Sequence, residues 1–90
     1  MFKTLEELIA VIRQRKSSSA AESYTYKLLN NKKLSVEKVK EEIAEIIEAI
    51  EKNTNKVHEA ADVLYHLMVL LEANDINIED VMDELKKRQK

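Results

Sequence analysis

The residues of this chain whose types and spacing can do chemistry are paired carboxylates. Glu42 and Glu45 stand three residues apart, and so do Glu59 and Asp62. On a helix, residues at i and i+3 are neighbours, so the two carboxylates of each pair can converge on one point. Four converging carboxylates repel unless a divalent cation lies between them, and an all-oxygen donor set suits Mg2+ or Mn2+. Asp62 is the most telling of the four. With His66 it interrupts an apolar run from Ala60 to Leu71, where a carboxylate is costly unless it is paired or bound to a metal. Its alternative role is an ion pair with a Lys or Arg of a neighbouring helix. For His66 the plain alternative is a hydrogen-bonded packing residue. Glu59, Asp62 and His66 fall within roughly 60° of one another on a helical wheel. Glu42 flanks an isoleucine stripe, Glu45 lies about 60° further round, and Glu41 and Glu48 point away from the stripe.

The elements that must position these groups read as helices. Thr4 and Glu7 have capping-box spacing. Leu5, Leu8, Ile9 and Ile12 follow at i, i+3, i+4, i+7, so residues 5–16 form an amphipathic helix. Ser17 to Ala21 is a small-residue break and the flexible piece of the chain. Ser23 to Leu29 is a brief helix that ends in Asn30, Asn31, Lys32 and Lys33. Ser35 caps a third helix running to about Lys52, striped by Val36, Val39, Ile43, Ile46, Ile47 and Ile50. Asn53 to Asn55 turns the chain into a fourth helix, Lys56 to Ala73. The two carboxylate-bearing helices are therefore antiparallel neighbours. Asn77 caps a last helix lined by Ile78, Val81, Met82 and Leu85.

Composition closes other routes. Gly, Pro and Cys are absent, which excludes disulfides, cysteine-ligated zinc, a cysteine nucleophile and a glycine-rich phosphate loop. Hairpin turns lean on glycine, so a β-rich fold is disfavoured. A net charge of −2 provides no basic field for nucleic acid. No apolar run reaches the roughly 18 residues of a membrane span, and no secretory signal opens the chain. The expectation is one domain over residues 1–90: a cytoplasmic all-α bundle of four to five helices, with no nucleic-acid or membrane partner. The fourth helix is apolar almost all round, which requires burial on more than one face. A second copy of the chain, making a homodimer, is expected to supply the missing cover.

Glu41-Glu42-x-x-Glu45 with Glu59-x-x-Asp62 resembles the metal signature of the MazG-like all-α nucleotide pyrophosphohydrolases. Within that superfamily three further stretches are similar to the phosphoribosyl-ATP pyrophosphatase family of histidine biosynthesis. These are Ser23-Tyr24-Thr25 with Leu28-Leu29, Lys38-Val39-x-Glu41-Glu42, and the block from Glu59 through Tyr65-His66 to Leu71. Ile12-x-x-Arg15-Lys16 and Ile78-x-Asp80-Val81-x-x-x-Leu85 extend the likeness over nearly the whole chain. The family usually has glycine where this chain has Lys40, and near Asn31 and Asp75, two residue types that tolerate left-handed backbone.

The resemblance implies hydrolysis of the α–β phosphoanhydride of phosphoribosyl-ATP to phosphoribosyl-AMP and pyrophosphate. It makes Glu42, Glu45, Glu59 and Asp62 the ligands of Mg2+, or of Mn2+. Glu41 is then either a fifth ligand or a catalytic carboxylate that orients the attacking water beside Glu42. It places Arg15, Lys27 and Lys38 on substrate phosphates and lets Ser23 and Thr25 donate to phosphate or ribose. His66 lines the substrate pocket, and for Tyr65 the expected role is packing. The partner activity implied is a phosphoribosyl-AMP cyclohydrolase. Two other readings stay open on the residues alone: a house-cleaning nucleoside triphosphate pyrophosphatase on the same metal site, and a non-catalytic helical dimerisation module.

Overall fold

The computed structural model describes residues 1–16 and 23–89, and among them all regular structure is helical. The expected break at Ser17 to Ala21 lies outside the described residues. The helices are α1 (Lys3–Lys16), α2 (Tyr24–Leu29), α3 (Lys32–Lys52), α4 (Lys56–Ala73) and α5 (Ile78–Arg88). α3 and α4 form an antiparallel hairpin, the most extensive helix pair in the molecule. α1 and α2 pack across α4, and α2 also touches α3. No described helix is long and apolar enough to cross a membrane.

The helix starts differ from two expectations. Thr4 lies inside α1, which opens with Glu6 N donating to Phe2 O, so the Thr4–Glu7 box does not form the start. α3 begins a turn before Ser35: Asn31 is its N-cap, with Oδ1 accepting from Leu34 N at 3.1 Å. Both residues suit a cap, and tertiary packing decides between them. Ser35 is buried inside the helix and its hydroxyl donates to Leu28 O at 2.6 Å, fastening α3 to the end of α2. Asn31 has φ −140°, so it is not left-handed, whereas Asp75 has φ 57°. Asn53 and Asn55 also take positive φ, at 55° and 43°, and close the α3–α4 turn without glycine. Asn77 occupies the N-cap of α5 but makes no side-chain capping bond.

The core gathers at the α1–α2–α4 contact. Ile12, Leu28, Leu29, Met68, Val69 and Ala73 are buried together there, and Leu5, Leu8, Ile9 and Ile78 pack against them. Burying a side chain of this kind contributes roughly 1.5–3 kcal/mol. Along the α3–α4 hairpin the pattern is inverted. Val39 and Ala49 are buried, but Val36, Ile43, Ile47 and Ile50 form a bare stripe on α3, and Val57 and Leu64 are bare on α4. The interior of the hairpin is given over to acidic side chains instead.

Candidate metal centre

α3 contributes Glu42 and Glu45, and α4 contributes Glu59 and Asp62. One carboxylate oxygen from each lies within 4.8 Å of all the others. The i, i+3 spacing stacks each pair on one helix face, and the Asn53–Asn55 turn folds the two faces together. Glu42 is buried at 8% exposure, while Glu45, Glu59 and Asp62 are half-buried. Glu42 Oε2 and Glu59 Oε2 are buried without a hydrogen-bond partner among the described residues. A buried carboxylate oxygen left bare is costly, so the cluster is unsatisfied as a purely structural arrangement.

The protonation equilibria register the same conflict. Burial, then Glu45, then Asp62 and Glu59 push the Glu42 carboxyl up to about 7. Glu59 is also raised, by burial and by Glu45 and Asp62, with His58 opposing. No Lys or Arg enters the cluster from a described residue, so the ion pair considered for Asp62 does not form. Its side-chain neighbour is His58, whose Nε2 lies 3.3 Å from Asp62 Oδ2. His58, Glu59 and Asp62 also bring ligand atoms within 4.8 Å of each other. Sequence reasoning passed over His58, although His58-x-x-x-Asp62 is an i, i+4 pair and was legible. Four hard oxygen donors with unpartnered buried atoms fit a hard divalent cation, with one imidazole at the edge.

The remaining candidates lie outside the carboxylate cluster itself. Glu41 is exposed, and Lys38 Nζ reaches its Oε2 at 3.5 Å. Lys40 is exposed and does not wedge the helix contact. Ser23 is the N-cap of α2, its Oγ accepting from Tyr26 N at 3.4 Å. Thr25 Oγ1 lies 2.5 Å from Tyr65 Oη. His66 is buried, with Nδ1 2.9 Å from Asp62 O and Nε2 3.1 Å from the Tyr24 hydroxyl. Arg15 and Lys27 are exposed in the last turns of α1 and α2, and neither pairs with a described carboxylate. Tyr24 joins them only through the fold, since no local sequence pattern ties it to His66, 42 positions away.

Comparison with known proteins bears on this geometry. Residues 5–89 match the family model described as phosphoribosyl-ATP pyrophosphohydrolase. The chain is 45% identical over 89 residues to the phosphoribosyl-ATP pyrophosphatase of Roseobacter denitrificans, covering 96% of this chain and 85% of that one. It is 43% identical over 94 residues to the protein of the same name from Pyrobaculum arsenaticum, covering 98% and 97%. It is also 42% identical over 87 residues to the histidine biosynthesis bifunctional protein HisIE of Pyrococcus furiosus, covering 96% of this chain but 41% of that longer one.

Proposed function

The chain belongs to the phosphoribosyl-ATP pyrophosphohydrolase family, and we propose that it hydrolyses the α–β phosphoanhydride of 1-(5-phosphoribosyl)-ATP, releasing pyrophosphate and 1-(5-phosphoribosyl)-AMP in the cytoplasmic synthesis of histidine. The observation that carries this reading is the convergence of Glu42, Glu45, Glu59 and Asp62 within 4.8 Å, with two buried carboxylate oxygens unpartnered.

Those four residues would hold Mg2+ or Mn2+. When bound, such an ion supplies Lewis-acid stabilisation of phosphate charge and reverses the sign of an otherwise anion-repelling pocket. Glu41, exposed beside the cluster, is the carboxylate that orients the attacking water and receives its proton. The water oxygen bonds to phosphorus as the bond to the bridging oxygen breaks and pyrophosphate leaves. Lys38, held next to Glu41, meets the phosphate chain; Arg15 and Lys27 add positive charge at its ends. Ser23 and Thr25 stand at the start of α2, where their hydroxyls can meet ribose or phosphate.

The test is pyrophosphate release from phosphoribosyl-ATP, with Mg2+ and with chelator, beside a panel of ordinary and modified nucleoside triphosphates. Metal-dependent release confined to phosphoribosyl-ATP is expected. Release from the panel alone would replace the substrate while retaining the centre, and silence on every substrate from folded protein would overturn the reading. The bifunctional name of the Pyrococcus furiosus relative supports a link to the activity that consumes the product, a phosphoribosyl-AMP cyclohydrolase.

The bare stripe of Val36, Ile43, Ile47 and Ile50 runs along the helix that carries Glu42 and Glu45. A second copy covering it would complete the bundle as a homodimer. Sedimentation is expected to give about twice the 10.4 kDa chain mass. Ile47→Lys, which places a charge in the middle of that stripe, is expected to yield helical monomer. Wild-type protein that sediments as monomer at tens of micromolar would remove the dimer.

A further inference from the structure

We infer that Tyr24 is the platform on which the substrate's planar base stacks, an inference that rests on the nucleotide reading above. Tyr24 is a large aromatic side chain left 47% exposed, yet it is fixed at several points. The carbonyl of Asp62 can only accept, so Nδ1 of His66 donates to it, at 2.9 Å, and the ring orientation is fixed. The Tyr24 hydroxyl is hydrogen-bonded to the other ring nitrogen, His66 Nε2, at 3.1 Å. The Tyr24 ring stands edge-on to His66, at 6.0 Å and 79°, and nearly parallel to Tyr65, at 6.4 Å and 18°. Tyr65 is itself held by Thr25. α2 thus presents a ring whose two torsions are settled before any ligand arrives, which lowers the entropy lost on binding.

Its place matters as much as its rigidity. Lys38, Glu41 and Glu42 all act electrostatically on Tyr24, and His66 follows Asp62 by one turn of α4. The ring therefore flanks the carboxylate centre. In a nucleotide the base lies one sugar away from the α-phosphorus, so an anhydride held at the carboxylates has its base within reach of this flank. The bond to His66 accounts for the fixing of Tyr24 but not for its exposure. A residue serving only the core would be buried, as Leu28 and Leu29 on the same helix are. An aromatic face accepts any planar base, and removing one such contact typically weakens binding about 5- to 100-fold.

The experiment compares wild type, Tyr24→Phe and Tyr24→Leu, with circular dichroism to confirm that each is folded. Calorimetric titrations in Mg2+ use AMP, which carries a base, and ribose 5-phosphate, which does not. Turnover of phosphoribosyl-ATP is measured in parallel. Tyr24→Leu is expected to weaken AMP about tenfold and to raise KM similarly, with kcat within about twofold, because uniform binding is lost. Tyr24→Phe, which keeps the ring but loses the bond to His66, is expected to stay within about threefold of wild type, and ribose 5-phosphate to bind all three alike. Unchanged AMP affinity in Tyr24→Leu would overturn the inference, as would Tyr24→Phe being as weak as Tyr24→Leu, or wild type failing to prefer AMP over ribose 5-phosphate. Wild type inactive on phosphoribosyl-ATP with the AMP pattern intact would support Tyr24 as a base platform and overturn the substrate alone.

Discussion

Glu42→Gln is expected to lower turnover by about 10²- to 10³-fold while making the metal-free protein more stable. The two effects have opposite signs because they arise in different states of one cluster. With a cation in place, Glu42 would be a ligand, and metal stabilisation of developing charge is worth several kcal/mol, at about 1.4 kcal/mol per tenfold in rate. Without one, Glu42 is a buried carboxylate facing Glu45, Glu59 and Asp62. A neutral amide there relieves repulsion on the order of 1 kcal/mol, which for a domain of this size raises the melting temperature by about 4–8 °C. The pH dependence follows from the same group. Its carboxyl is raised from an ordinary 4.5 to about 7, so between those values the native state binds more protons than the unfolded chain. Metal-free stability must then fall as pH rises through that window and level off above it. Mg2+ affinity must rise over the same window, since ligation needs the carboxylates deprotonated. Calorimetric melting in chelator and in Mg2+, from pH 4.5 to 8, checks both trends. A Glu42→Gln protein that melts lower than wild type in chelator, or still turns over at a tenth of the wild-type rate, would sink the assignment.

Arg13→Met is expected to lower the melting temperature by several degrees. Glu72 is buried at 8% exposure on α4. Arg13 Nε donates to it at 2.8 Å, and the remaining guanidinium nitrogens clasp Glu79 of α5 at 2.9 and 2.6 Å. Lys16 donates to Glu72 O at 2.8 Å and to Asp75 at 2.7 Å, but stands 3.8 Å from the Glu72 carboxylate. Removing Arg13 leaves Glu72, among the described residues, with Lys16 at 3.8 Å as its remaining cation, so a buried carboxylate loses its close partner, an effect tempered by the solvent exposure of Arg13. Arg13→Met combined with Glu72→Leu is expected to recover most of the loss, because an apolar pair of similar volume replaces a buried ion pair at little cost. Hydrogen exchange in α5 should quicken in the single variant, since Glu79 and Ile78 moor that helix to the rest. The clamp also has its own pH signature. Arg13 pulls Glu79 down from 4.5 to about 2, so its contribution is present above the ordinary value and is lost as pH falls toward 2, opposite in sign to that of Glu42. A single variant melting within about 2 °C of wild type would show that Glu72 does not depend on Arg13.

What the amino-acid sequence determined by itself is what a helix determines by itself. The i, i+3, i+4 periodicity of Leu5, Leu8, Ile9 and Ile12 and the isoleucine stripe of α3 established the helices. The i, i+3 spacing put Glu42 with Glu45 and Glu59 with Asp62, and the short Asn-rich turn made their helices antiparallel. The carboxylate cluster was therefore legible, and so was the likeness to the family, which lies in the same contiguous blocks. His58 beside Asp62 is equally local, an i, i+4 pair on one helix.

Only the tertiary structure decided the rest. Asn31 and Ser35 are both good caps; Asn31 takes the cap, and Ser35, buried one turn into the helix, donates instead to Leu28 O, which also accepts from Asn31 N. Arg13 with Glu72 and Glu79, and Tyr24 with His66, are joined across 59, 66 and 42 residues. A periodic pattern fixes which side of a helix is apolar. It does not fix the angle and offset at which two such sides meet, and these distant partners are chosen by that packing.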